Sequence, residues 1–137
     1  MQVHSVLSIN VSGQEQIYRL ESQRYDIGRS IRAAIRINHP EVSRNQAVIV
    51  KDDKGRYQLL DGDGLTAMSS NGTYVNGTRV YKHYLRSGDE IRFGSSAVSA
   101  RFFTSLPPRD SRPELIPEID VDVADAASST QMFLNQP

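Results

Sequence analysis

The chain has 137 residues, room for one domain with a core of its own and not for two. Sixteen Lys and Arg balance sixteen Asp and Glu, so net charge gives no reason to expect nucleic acid or an anionic membrane as partner. The absence of Cys excludes disulfides, zinc ribbons and thiol chemistry.

Apolar residues recur mainly in twos, in short runs punctuated by turn residues. Val3, Leu7, Ile9 and Val11 share one parity, Ser12-Gly13-Gln14 interrupts them, and Ile17 to Leu20 resume. The pattern predicts strand, turn, strand. Further strands are expected at 34–37, 46–50, 57–60, 73–75, 79–81, 90–93 and 98–103. In the last, Val98, Ala100 and Phe102 alternate with Ser99, Arg101 and Phe103, as a half-buried strand requires. Asn71-Gly72 and Asn76-Gly77 are strong turn signals, because tight hairpin turns need positive φ and these residues tolerate it. Many short strands with no helical period through Phe103 predict an all-β, antiparallel β-sandwich.

Composition changes at Ser105. The last 33 residues contain Pro107, Pro108, Pro113 and Pro117, and six acids against Arg109 and Arg112. That acidic tail (105–137) carries −4 and leaves +4 on the body (1–104). Within it, 118–123 alternates acid and aliphatic, the pattern of an edge strand able to pair with a sheet of its own or another copy. Thr130 is a candidate phosphosite that would dock on the body of the same or another copy and switch between self-association and external partners, the alternative being a flexible acidic tail short of apolar surface. Met1 to Leu7 lacks the basic start and apolar run of a signal peptide, and no stretch reaches membrane-span length, so a cytoplasmic protein is expected.

Three segments carry polar chemistry: Gly28-Arg29 after a strand, Ser43-Arg44-Asn45 before the next, and Ser69-Ser70-Asn71-Gly72-Thr73 ahead of a third. Strand ends meeting at one edge of a sandwich would present an arginine fork, hydroxyls, an amide and backbone N–H groups. That inventory suits a phosphate dianion with its strong acceptor oxygens. No base stands beside either serine to make it a nucleophile. Asp61-Gly62-Asp63-Gly64 is a poor calcium loop, since its next ligands would fall on Leu65 and Gly72, and it reads as a solvated turn. His4, His39 and His83 lack metal-ligand spacing. Neither a cofactor nor a metal is expected.

Gly28-Arg29, Ser43-Arg44-Asn45-Gln46, Asn71-Gly72-Thr73-Tyr74-Val75-Asn76-Gly77 and the segment Leu85 to Gly94 together resemble the forkhead-associated (FHA) domain family, over about Val3 to Phe103. The resemblance implies an eleven-stranded sandwich that binds phosphothreonine peptides through loops at one end: an adaptor in Ser/Thr kinase signalling, not an enzyme. It also implies residue roles. Arg29, Ser43 and Arg44 would contact the phosphate, Ser70 would bond near the phosphothreonine, and Asn71 would hold the peptide backbone. Glu41 falls where the family sets preference for the third following residue, and an acid there disfavours an acidic partner. Gly28, Gln46, Gly72, Thr73, Asn76 and Gly77 would support the loops. Gln46 replaces the family's bracing His, which opens an alternative: an assembly protein associating through a sheet edge or its tail, with weakened phosphate recognition.

Overall fold

A computed structural model describes residues 4–105. The expected tail, the edge strand at 118–123 and Thr130 lie outside the described residues.

Eleven strands form two sheets: β1 (Ser5–Val11), β2 (Gln14–Arg19), β3 (Arg24–Gly28), β4 (Ile35–Arg36), β5 (Ala47–Lys51), β6 (Tyr57–Asp61), β7 (Thr73–Val75), β8 (Thr78–Arg79), β9 (Lys82–Tyr84), β10 (Glu90–Phe93) and β11 (Val98–Thr104). One sheet has the order β2-β1-β11-β10-β7-β8 and the other β4-β3-β5-β6-β9. Every pairing is antiparallel except the two-residue parallel ladder of β3 with β4. The described residues contain no helix, hence none long and apolar enough to cross a membrane.

Period-two burial builds the core. Leu7 and Ile9 of β1, Val98, Ala100 and Phe102 of β11, and Ile91 and Phe93 of β10 face inward from the first sheet. They meet Ile27, Ile49, Tyr57 and Leu59 of the second. Tyr57 and Phe102 join the sheets edge to face, with centroids 6.3 Å apart and planes at 71°, an arrangement that contributes about 0.5–1.5 kcal/mol beyond area burial. Burial of the Tyr57 ring raises its hydroxyl pKa to about 12.

Asn76 (φ 51°) and Gly77 (φ 85°) form the β7–β8 hairpin turn as their chemistry predicts. Asn71-Gly72 is not a hairpin: it lies at the end of a long connection leading into β7. The strand expected at 79–81 is also corrected. Arg79 ends β8 in one sheet, Lys82 opens β9 in the other, and Tyr81 lies at the crossing. An apolar run has no means of marking where a chain changes sheets.

Strand direction decides where the polar segments fall. β3 ends at Gly28, antiparallel β5 begins at Ala47, and β6, antiparallel to β5, ends at Asp61. In the facing sheet β7 begins at Thr73 opposite the end of β10 at Phe93. The three polar segments therefore emerge from the same end of the sandwich.

Candidate functional site

Gly28 makes the first junction possible. The Arg29 N–H donates to the Ser43 carbonyl at 3.0 Å and the Ser30 N–H to that of Arg44 at 3.4 Å. A Cβ on Gly28 would lie 2.0 Å from the Arg44 carbonyl oxygen, so any larger residue forces the segments apart. The Arg29 side chain, half-buried, donates from Nε to the Val42 carbonyl at 3.0 Å. This bond aims the guanidinium while leaving its terminal nitrogens available. No carboxylate among the described residues pairs with Arg29 or Arg44.

Ser43 and Ser70 are adjacent: the Ser70 N–H donates to Ser43 Oγ at 2.8 Å. Asn71 Nδ2 donates to the Glu41 carbonyl at 2.9 Å, tying the third segment to the second. Ser70, Asn71, Glu41 and Arg44 are exposed. Arg29, Ser43, Ser70 and Asn71 thus share one loop-built edge, with Arg44 beside Ser43 in sequence.

Beneath them lies Gln46, fully buried. Its Oε1 accepts the Ser43 N–H at 3.0 Å, and its Nε2 donates to the Gly72 carbonyl at 3.0 Å and to Thr73 Oγ1 at 2.9 Å. One primary amide satisfies both strand-end segments across the two sheets, a task that needs a donor and an acceptor at opposite edges of a planar group. Thr73, also fully buried, passes the network on by donating to Asp61 Oδ1 at 2.7 Å.

The bracing roles of Asp61 and Ser69 in this network escaped the sequence reading. Asp61 is buried, not part of a solvated turn, and its carboxylate also accepts the Ser69 N–H at 3.1 Å and the Ser69 hydroxyl at 2.6 Å. Ser69 Oγ in turn accepts the Gly72 N–H at 3.1 Å. The signal was parity: Tyr57, Leu59 and Asp61 alternate, which turns Asp61 inward with the two apolar residues. Asp63 caps its own loop, and the Leu65 amide first, with those of Thr66 and Ala67, holds its carboxyl below the ordinary range. Leu65 is left exposed there.

Asn76 and Gly77 stand apart from the loop-built edge, at the far end of β7. The Asn76 side chain donates to Asp89 Oδ1 at 3.0 Å and accepts the Glu90 N–H at 3.0 Å, so its immediate role is to fix the hairpin to β10.

A curated relative, an uncharacterized protein sll1895 of Synechocystis, is 29% identical over 103 residues, covering 71% of this chain. The chain spans only 14% of that relative's length. Among solved structures, the Slr1951 protein of Synechocystis superposes with a TM-score of 0.67 at 36% identity, covering 72% of this chain and 96% of its own. An FHA domain solved in an analysis of phosphothreonine-dependent FHA domain interactions gives 0.62 at 30% identity, covering 77% and 98%. The FHA domain family model matches residues 25–94, which contain the Gly28-Arg29, Ser43 and Asn71-Gly72 segments: the chain belongs to the FHA domain family.

Proposed function

We propose that the protein binds phosphothreonine peptides through the edge formed by Arg29, Ser43, Arg44, Ser70 and Asn71, and that it acts as an adaptor for kinase substrates without catalysing a reaction. The observation that carries this reading is the pairing of Ser43 with Ser70 at 2.8 Å beside a guanidinium whose Nε is already held by Val42. A phosphate dianion placed there meets terminal N–H donors of Arg29 and the hydroxyl proton of Ser43, charge-assisted bonds that are about twice as strong as neutral ones. The similar FHA domain solved in the analysis of phosphothreonine-dependent interactions supports the choice of phosphothreonine.

The assembly alternative drew its support from Gln46. Because Gln46 makes three hydrogen bonds that brace the binding segments, that support is withdrawn. A degenerate phosphothreonine peptide library, tested beside its unphosphorylated twin, decides the matter. Binding confined to the phosphorylated library is the expected result, and equal binding of the two would reject the reading.

A further inference from the structure

The outer face of the six-stranded sheet carries a cross-strand row that leads away from the candidate phosphate edge. Tyr74 of β7 lies opposite Arg79 of β8 on one side and Arg92 of β10 on the other. The two arginines differ in what they are free to do. Arg92 is occupied, pairing with Glu90 at 3.6 Å and donating to the Ser96 carbonyl at 2.8 Å. Arg79 is exposed, and its guanidinium makes no hydrogen bond or ion pair among the described residues. It does not trail into solvent either, for its Cζ sits 5.3 Å from the centroid of the Tyr81 ring.

That stacking directs the side chain at Gly72. A methyl group in place of the Gly72 hydrogen would lie 3.2 Å from Arg79 Nε and 3.4 Å from its Cζ. Gly72 directly follows Asn71, so a peptide crossing Asn71 passes the Arg79 fork on the β8 side. The Glu41 backbone lies on the opposite side: a Cβ on Gly94, which follows β10, would lie 2.4 Å from its carbonyl oxygen. The cation beside Asn71 that no carboxylate occupies therefore lies toward β8, since Arg92 of β10 is already paired with Glu90.

We infer that Arg79 is a specificity-determining residue, which favours a carboxylate side chain on the β8 side of the phosphothreonine. The inference rests on the phosphopeptide reading above. A guanidinium already restrained against Tyr81 loses little further freedom on pairing, and its planar fork matches a carboxylate. A lysine would supply the charge without the stack or the fork. Exposure limits the size of the effect, since exposed ion pairs contribute about 0.2–1 kcal/mol, a preference of roughly 1.4-fold to fivefold that weakens with salt.

The test uses the full chain and a phosphothreonine peptide in which each flanking position in turn carries Glu or Gln. The wild type should prefer Glu at one position or two neighbouring ones. Arg79→Gln should abolish that preference while leaving affinity for the Gln peptides and the melting temperature unchanged, and Tyr81→Leu should reduce it. A preference that survives Arg79→Gln, or its absence from the wild type while the peptides still bind, overturns this inference alone. Failure of the wild type to bind any phosphothreonine peptide overturns the phosphopeptide reading and this inference with it.

Discussion

Ser43 Oγ accepts the Ser70 backbone N–H at 2.8 Å, joining two segments separated by 27 residues at the point where a phosphate would be held. The oxygen is used as an acceptor, and the hydroxyl retains its proton to donate. Ser43→Ala removes a hydrogen bond within the protein and one to the ligand together. Its effect on binding should therefore approach that of losing Arg29, at least tenfold by titration calorimetry, given about 1.5–3 kcal/mol for a bond to a charged group.

Arg29→Ala should reduce phosphopeptide affinity by tenfold or more, and it also deprives the Val42 carbonyl of its partner at 3.0 Å. A modest loss of stability, about 1 kcal/mol, is expected alongside. Arg29→Lys should restore charge but little affinity, since an ammonium cannot serve Val42 and grip a phosphate with a planar fork. Wild-type affinity in Arg29→Ala would move the phosphate site elsewhere.

Gln46 offers a graded test. Gln46→Leu leaves the Ser43 N–H unpaired, at about 1–3 kcal/mol, and leaves the Gly72 carbonyl only the Gly94 N–H at 2.9 Å. Its melting temperature should fall by roughly 4 °C or more, taking 4–8 °C per kcal/mol for a domain of this size. Gln46→His retains one donor and one acceptor in the neutral ring and should keep most of the affinity. Equal behaviour of the two variants in thermal melts and peptide titrations would count against the bracing role.

Asp61→Ala should destabilise the fold by about 2–3 kcal/mol, because three donors from Ser69 and Thr73 lose their acceptor. Affinity should fall as well, although Asp61 lies beneath the surface and touches no ligand. A variant that melts early but binds at full strength when folded would show that Ser69 does not set the position of Ser70 and Asn71.

Acid should weaken the β7–β10 corner. Burial opposes ionisation of Asp89, but the Arg86 amide, His83 and Asn76 outweigh it and hold the carboxyl below its ordinary value. A lowered folded-state pKa means that this stabilisation is complete above the unfolded value, about 3.9, and is lost as pH falls through the folded one. Wild type should therefore lose melting temperature below about pH 4. Asp89→Asn should melt lower at pH 7 and show a shallower decline in acid. Parallel wild-type and variant profiles would assign the acid sensitivity to other carboxylates.

Much of the architecture was legible because period-two burial and turn chemistry are local. The alternation from Val98 to Phe103 and the turn at Asn76-Gly77 need only near neighbours, and the structure has them as read. The polar segments were legible as residue types, since a fork, hydroxyls and an amide can be named before their positions are known. The break between Arg79 and Lys82 was not, because changing sheets is a property of the other strands.

By itself the sequence determined the sandwich class, the three polar segments and the membership they imply. Tertiary structure alone decided how those segments are held together. Gln46, which looked like a defect, reaches Ser43 three residues away and Gly72 twenty-six away. Asp61, which looked like a wet turn, lies buried under Ser69 and Thr73. The worth of a buried polar group depends on which donors and acceptors surround it, and those partners are brought near only when the sheets pack.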